Sequence, residues 1–325
     1  IEPDAIVRLG GKAQTDGAVQ TEAFSFVVKP EGLAWFSGIA ALQLGLRKGL
    51  RITPTGKRLL LHRHREQRRG SSGLCEVSIP PGQELEIIEY CTGTGAGVAL
   101  AATRLVIGRG ARVRFVRVQQ EAEGAHLARL DCELAEQASL SIGIVELGAQ
   151  LSRLDLGCEL AGEGACLQLG VAIPISERRR VDVHAFVHHR AARTQSQIQA
   201  RLLASGRGQA IYDGLVRIEQ GAAQADANQQ AKGLLLSERA EIDAKPELEI
   251  EHDDVRAAHG CAIGGLNRDA LFYLQSRGIP FDQAQAMLVR AFLQPALLAP
   301  KGALSDALLR LAHRAAGMGG DDAGS

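Results

Sequence analysis

The sequence predicts a mainly β protein: a stacked β-solenoid core followed by a C-terminal α-helical subdomain. Three observations carry that expectation. A strand-like pattern recurs at near-constant spacing, each copy follows a short turn rich in Gly and polar residues, and the hydrophobic period changes from two to three or four only after Leu266. With 325 residues and 46% apolar content the chain can bury a sizeable core, and 4% aromatic residues against 37 glycines suit many short strands and tight turns.

Residues 1–50 form an N-terminal segment of mixed signals. Phe24, Phe26 and Val28 alternate like a strand, and Trp35 to Leu50 carries apolar residues at spacings read as partly helical. The chain opens at Ile1 without a methionine, so preceding sequence is expected to be missing.

From 51 to 265 the text becomes rhythmic. Glu84-Leu85-Glu86-Ile87, Arg112-Val113-Arg114-Phe115, Ser139-Leu140-Ser141-Ile142 and Cys166-Leu167-Gln168-Leu169 share one alternating pattern. The steps from Leu85 to Val113, Leu140 and Leu167 are 28, 27 and 27 residues. Pro81-Gly82-Gln83, Gly108-Arg109-Gly110, Ala135-Glu136-Gln137 and Gly162-Glu163-Gly164 precede the four copies as turns. An antiparallel sandwich would also show short strands and turns, but a near-fixed period without intervening helices favours a solenoid, with the four apolar residues stacked as one inward column.

The rhythm culminates between Ala240 and Pro280. Ile242, Ala244, Pro246, Leu248 and Ile250 alternate with Glu241, Asp243, Lys245, Glu247, Glu249 and Glu251, the pattern of a strand with one buried face. His252, Asp253, Asp254, His259 and Cys261 then crowd potential ligands ahead of Gly264-Gly265.

Helical spacing takes over from 266 to 316. Asn267 or Asp269 can cap a helix bearing Leu271, Tyr273 and Leu274, stopped by Gly278 and Pro280. A second helix opens at Asp282, carries Ala284, Met287, Leu288, Ala291 and Phe292 on one face, and is expected to end at Pro295. A third starts at Ser305 with Leu308, Leu309, Leu311 and Ala312. The tail 317–325, made of Gly, Asp, Ala and Ser with one Met, is expected to be disordered.

Several function classes are disfavoured. Formal net charge is zero, with 37 basic and 37 acidic residues, so no overall field recruits nucleic acid or an anionic membrane. The basic runs His62-Arg63-His64-Arg65 through Arg69 and Arg178-Arg179-Arg180 read as solvated loops. No apolar run is long enough to span a bilayer and no secretory signal opens the chain, which predicts a cytoplasmic protein. The six cysteines contain no CxxC pair and read mostly as reduced, buried thiols. There is no Walker loop, GxSxG or HExxH; Thr92 to Gly97 is Gly-rich but reads as a turn. His184 and His188 share a strand face, a pair more readily read as hydrogen-bonded within a rung than as metal ligands. His259 and Cys261, two apart on extended backbone, point the same way, and imidazole with thiolate suits iron or an iron–sulfur cluster. Two ligands do not complete a site.

The run Leu234-Leu235-Leu236-Ser237, followed by AEIDAKPELEI, DDVRAAHG and LNRDALFYLQSRGIP, resembles the C-terminal signature of the SufB/SufD family of iron–sulfur cluster assembly proteins. Weaker similarity reaches back to about Arg180. His259-Gly260 is similar to SufD, because SufB proteins usually carry a Glu directly after this histidine. The resemblance implies a right-handed parallel β-helix and a helical subdomain that docks the ABC-type ATPase SufC. It further implies pairing with SufB through the β-helix ends, and a transient iron–sulfur cluster built at the subunit interface near His259. The family usually has a small non-thiol residue where Cys261 stands, and the family's N-terminal Trp-Lys-Tyr motif has no clear counterpart.

On this reading the chain is a non-enzymatic SufD-like scaffold. Its SufB-side edge is expected at Glu247, Glu249, Glu251 and Arg256, and its SufC-side surface at Phe272, Tyr273, Arg277, Arg290 and Phe292. An isolated chain is expected as a homodimer. The rivals are a SufB-like principal cluster carrier, which His259-Gly260 disfavours, and a β-helix polysaccharide lyase-type enzyme, which the helical tail and the absent secretion signal disfavour.

Overall fold

The computed structural model describes residues 3–9, 14–17, 19–25, 48–65, 71–298 and 303–318. The strand pattern at Phe26 and Val28, most of the stretch from Trp35, and the tail beyond 318 lie outside these residues. Where the Trp35–Leu50 stretch is described, from Lys48, it is strand and not helix.

After β1 (Ala5–Leu9), β2 (Gln14–Gly17), β3 (Val19–Ser25) and β4 (Lys48–Pro54), strands come two to a turn. They are β5 (Arg58–Arg65) and β6 (Ser71–Ile79), β7 (Glu84–Gly93) and β8 (Val98–Ile107), β9 (Arg112–Glu121) and β10 (Ala125–Leu134), and β11 (Ser139–Glu146) and β12 (Leu151–Leu160). Next come β13 (Cys166–Ile175) and β14 (Arg180–His189), β15 (Gln195–Ala204) and β16 (Gln209–Ile218), β17 (Asp226–Leu235) and β18 (Glu241–Ile250), and finally β19 (Arg256–Gly265). Odd strands from β5 stack in parallel in one sheet and even strands in the other, giving a solenoid of about seven turns.

The counted repeat is one strand of each turn. Leu85 pairs in register with Val113, Val113 with Leu140 and Leu140 with Leu167, and none of the four is more than 4% exposed. The even strands β8 to β14 are missing from the sequence count because corners such as 122–124 and 147–150 lack the recurrent turn signature, although Gly206-Arg207-Gly208 and Ser237-Glu238-Arg239 carry similar turns ahead of β16 and β18 at irregular spacing. The turns that lead into the odd strands from β7 to β17, the four counted ones among them, share one backbone solution. Gly82, Gly110, Gln137, Gly164, Arg193 and Gln224 all adopt positive φ. Each donates its N–H to a turn carbonyl of the next rung, as Gly110 does to Glu136 O and Gln137 to Glu163 O, both at 2.9 Å. Gly meets that conformation without a Cβ penalty, and stacking holds the other residues in it.

The lumen is lined by apolar side chains from both sheets, including Leu61, Ile87, Phe115, Ile142, Leu169 and Val183. A second core lies outside the odd sheet. There α2 (Phe281–Leu297) and α3 (Ala303–Ala315), which follow α1 (Arg268–Ser276), cover Val116, Val145, Ala172 and Leu203. The approach is close: a Cβ on Gly170 would stand 2.0 Å from Ala296 O, and one on Gly143 would stand 2.3 Å from Leu297 O.

Two expectations about the helices are corrected. Pro295 lies inside α2, which runs on to Leu297 and is closed by Leu298 in the left-handed region. Losing one N–H bond in the last turn is offset by burying Ala296 and Leu297 against the sheet. The buried face of α2 is Ala284, Val289, Leu293, Ala296 and Leu297, while Met287 is 49% exposed. Of the expected stripe Ala284 is buried and Leu288 and Phe292 are partly so, whereas Met287 and Ala291 are exposed, because apolar residues occur on both sides of this helix and spacing alone does not fix which face docks. Asn267 caps α1 as expected, its Oδ1 accepting from Ala270 N at 2.9 Å.

Candidate functional site

The two sheets end at β18 and β19, and among the described residues no strand lies beyond them. β17 is largely buried, whereas β19, one rung higher and in register with it, is exposed at nearly every position. Their outer backbone groups form an unpaired parallel edge ten residues long on each strand.

Ala257 packs on the core below, which sets the odd positions of β19 inward. His259, Cys261 and Ile263 therefore face the mouth of the lumen, opposite Ile242, Ala244, Pro246 and Leu248 of β18. The Cys261 thiol donates to Ala244 O at 3.4 Å. Register sets His259 over Gln229 and Cys261 over Ala231. Gln229 is buried, and its Nε2 donates to the Tyr212 hydroxyl at 3.2 Å and to Gly214 O at 3.1 Å. A Cβ at Gly214 would stand 2.0 Å from that nitrogen, so the glycine makes room for the polar pair.

The structure thus brings His259 and Cys261 together on one surface, an imidazole and a thiol that can ligate iron. Among the described residues no group of three or more His, Cys, Asp or Glu side chains is disposed to hold a metal ion.

The charged residues expected at the edge flank the mouth on the outer faces. Glu247 pairs with Lys245 at 2.9 Å, Glu251 with Arg217 at 2.5 Å and Arg256 with Asp226 at 2.8 Å, and Glu249 is exposed between them.

The residues expected on the helices divide. None of α1 is buried, and Phe272 and Tyr273 are 72% and 56% exposed, with the Arg277 guanidinium 5.3 Å from the Tyr273 ring centroid. Phe281 and Met287 of α2 are also exposed, each at 49%. Arg290 instead ties α2 to α3 through Asp306 at 2.5 Å, and Phe292 is half-buried with Arg201 6.0 Å from its ring centroid.

Sequence reasoning missed a second polar constellation. The run His62 to Arg65, expected as a solvated loop, is the end of β5, with Arg63 and Arg65 buried in the lumen. Arg63 binds Glu89 at 2.8 Å and the Thr103 hydroxyl at 2.9 Å, and Arg117 binds the other oxygen of Glu89 at 3.1 Å as well as Glu146. Arg65 donates to Glu121 at 3.0 Å, whose other oxygen lies 2.8 Å from His126 Nδ1. Arg117 Nη2 lies 2.7 Å from His126 Nε2, so that nitrogen accepts and Nδ1 carries the proton. Burial holds His126 below its ordinary pKa, consistent with a neutral ring. Burial would raise the Glu89 carboxyl, but Arg63 and Arg117 bring it below the ordinary value. The thiol of Cys91, in the same cluster, is pushed up by burial to about 12, so it stays protonated. Alternation with a charged residue at an inward position was the available signal; a run of four basic residues masked it.

The remaining histidine candidates are structural. His184 lies 2.9 Å from Asp182 and His188 2.8 Å from Glu219, while His189 is buried between the hydroxyls of Thr194 and Ser196 at 2.9 and 2.8 Å. Four cysteines are buried, Cys166 is partly so, and Cys261 is exposed. No described helix is long and apolar enough to cross a membrane.

Fold and site together define a β-solenoid that presents ligand-type side chains at an uncovered end. The chain belongs to the SufBD core family of the SUF iron–sulfur cluster assembly system: residues 62–292 match the family described as "SUF system FeS cluster assembly, SufBD core domain". It is 29% identical over 220 residues to the iron-sulfur cluster assembly protein SufD of Escherichia coli (strain K12), a match covering 66% of this chain and 52% of that protein. It is 29% identical over 223 residues to the chloroplastic protein ABCI7 of Arabidopsis thaliana, covering 66% and 46%. An iron-sulfur cluster assembly SufBD family protein of Synechocystis sp. is 30% identical over 194 residues, covering 58% and 42%. The chain spans about half the length of these curated relatives.

Proposed function

We propose that the chain is a SufD-like, non-enzymatic scaffold subunit that pairs with a SufB-like chain through β18 and β19 and contributes ligands to an iron–sulfur cluster assembled at the seam. One observation carries this reading: the last rung is bare, and its inward row holds His259 and Cys261. Neither a lone edge nor a two-residue ligand set is complete, and a second chain's strand would supply both missing parts. Without that partner, the same edge supports a homodimer of the isolated chain. The exposed face of α1, with Phe272, Tyr273 and Arg277, is the surface for a SufC-like ATPase, an amphipathic helix suited to a partner's groove.

The test is anaerobic cluster assembly on the complex co-expressed with SufB-like and SufC-like partners. His259→Ala should lower cluster yield strongly while both partners still co-purify, and Cys261→Ala should show whether the thiol adds to it. Undiminished yield in both variants would sink the ligand role.

A further inference from the structure

The geometry points to Gln229 as the residue that positions His259, an inference that rests on the ligand reading above and deepens it. Gln229 is 1% exposed, and its Oε1 is a buried acceptor with no partner among the described residues. Leaving such an atom unpaired is costly, so its position needs a donor. The orientation of the amide is settled by its surroundings: Gly214 O can only accept, so the nitrogen must face it, across and down toward β16. The oxygen is then turned away from Gly214, open to a donor from the neighbouring rung.

The residue in register above it is His259, in the same inward row. Rungs are about 4.8 Å apart, close enough for side chains in one row to hydrogen-bond. Cys261, the other inward polar group of β19, is spent on Ala244 O and sits over Ala231. The His259 ring, exposed and without a hydrogen bond among the described residues, has the rotamer freedom to reach Oε1. One ring N–H donates to Gln229, and the opposite nitrogen, carrying its lone pair, faces out of the lumen toward whatever chain covers it. Metal-binding histidines are commonly oriented this way, through the nitrogen that does not touch the metal. Gly214 belongs to the same device, because any side chain there would displace the amide.

Histidine-selective nitrogen NMR of the full chain, in mildly alkaline buffer, tests this without any cluster. His259 should appear as a single neutral tautomer with an exchange-protected ring N–H. Gln229→Leu, close in volume but lacking the acceptor, should lose that protection and give a mixed tautomer population. In the co-expressed complex the same variant should weaken cluster assembly about tenfold, at the lower end of the roughly 10–100-fold loss for such partners. A freely exchanging His259 ring in the unmodified chain overturns the inference even if the variant does not fold, as does an unchanged spectrum in a folded Gln229→Leu chain. Full cluster yield in His259→Ala, by contrast, overturns the ligand reading and leaves the spectroscopic result standing.

Discussion

The two ends of the solenoid are finished by opposite means. At the N-terminal end β1 is followed by the antiparallel β2, only four residues long, and β3 pairs antiparallel with β4. Reversed direction and a short strand both blunt an edge against further parallel stacking. At the C-terminal end β18 and β19 run parallel for ten residues each and simply stop. The interiors differ as well: three arginines and three glutamates form a charged cluster in the lumen of the first turns, whereas the buried polar groups nearer the bare mouth, His189 with Thr194 and Ser196 and the Tyr212–Gln229 pair, are neutral. The contrast teaches that the first end is blunted by its own chain, with the charges behind it paired internally, while the second keeps its backbone and its ligand-type side chains available.

The strongest way to break the blunted half is to remove one charge from it. Arg117→Leu leaves Glu89 and Glu146 without their shared guanidinium, and loss of one partner from a buried ionic set costs about 3–5 kcal/mol. Urea unfolding should register that loss, whereas Tyr212→Phe near the open mouth should cost about 1 kcal/mol.

Acid should act on the buried histidines with a somewhat smaller effect. Burial lowers the folded pKa of His189 to about 4, and His126 is shifted the same way. A histidine whose folded pKa is depressed stabilises fully above its unfolded value of about 6.5, and that contribution disappears as pH falls toward the folded value. For His189 the window from about 6.5 to 4 corresponds to roughly 3 kcal/mol. The lowered carboxyls of Glu89 and Glu121 extend the loss to lower pH. Stability measured against pH should therefore decline on the acid side, and His189→Gln should flatten the decline in that window.

The smallest stability effect should come from the open end. Ile263→Lys places a charge at an exposed position of the last rung, so the melting point should hold to within about 0.5 kcal/mol of stability. A lysine on an edge opposes strand addition, so both self-association of the isolated chain and co-purification with a SufB-like partner should drop. Retained pairing would mean that the mouth is not the contact.

Much of this architecture could be read from the residues because one strand per turn advertises itself. Leu85, Val113, Leu140 and Leu167 are apolar, alternating and preceded by turns that need positive φ, and the Glu241–Glu251 alternation likewise marks a true strand. Inference ran out where burial contradicts residue type. Arg63 and Arg65 look like surface until Glu89 and Glu121, 26 and 56 residues away, are known to meet them inside. Pro295 looks like a stop until the sheet beneath the last turn is known. The adjacency of His259 and Cys261 was visible from spacing, but Gln229 belongs to the same mouth only through a 30-residue register that local pattern does not reveal.

The docking of α2 on β11, β13 and β15 sets a fixed length along the molecule. The chain leaves the mouth at Gly265, turns through α1, and is anchored again on strands that lie two or more rungs back from β19. At about 4.8 Å per rung, the strands that hold α2 stand roughly 10 to 20 Å from the row that holds His259, at a spacing counted in whole rungs. Inserting or deleting one complete turn between β15 and β19 would move the anchorage of α2 relative to the mouth by a single graduation while leaving every hydrogen-bond register intact, so the solenoid works as a ruler whose unit is the turn.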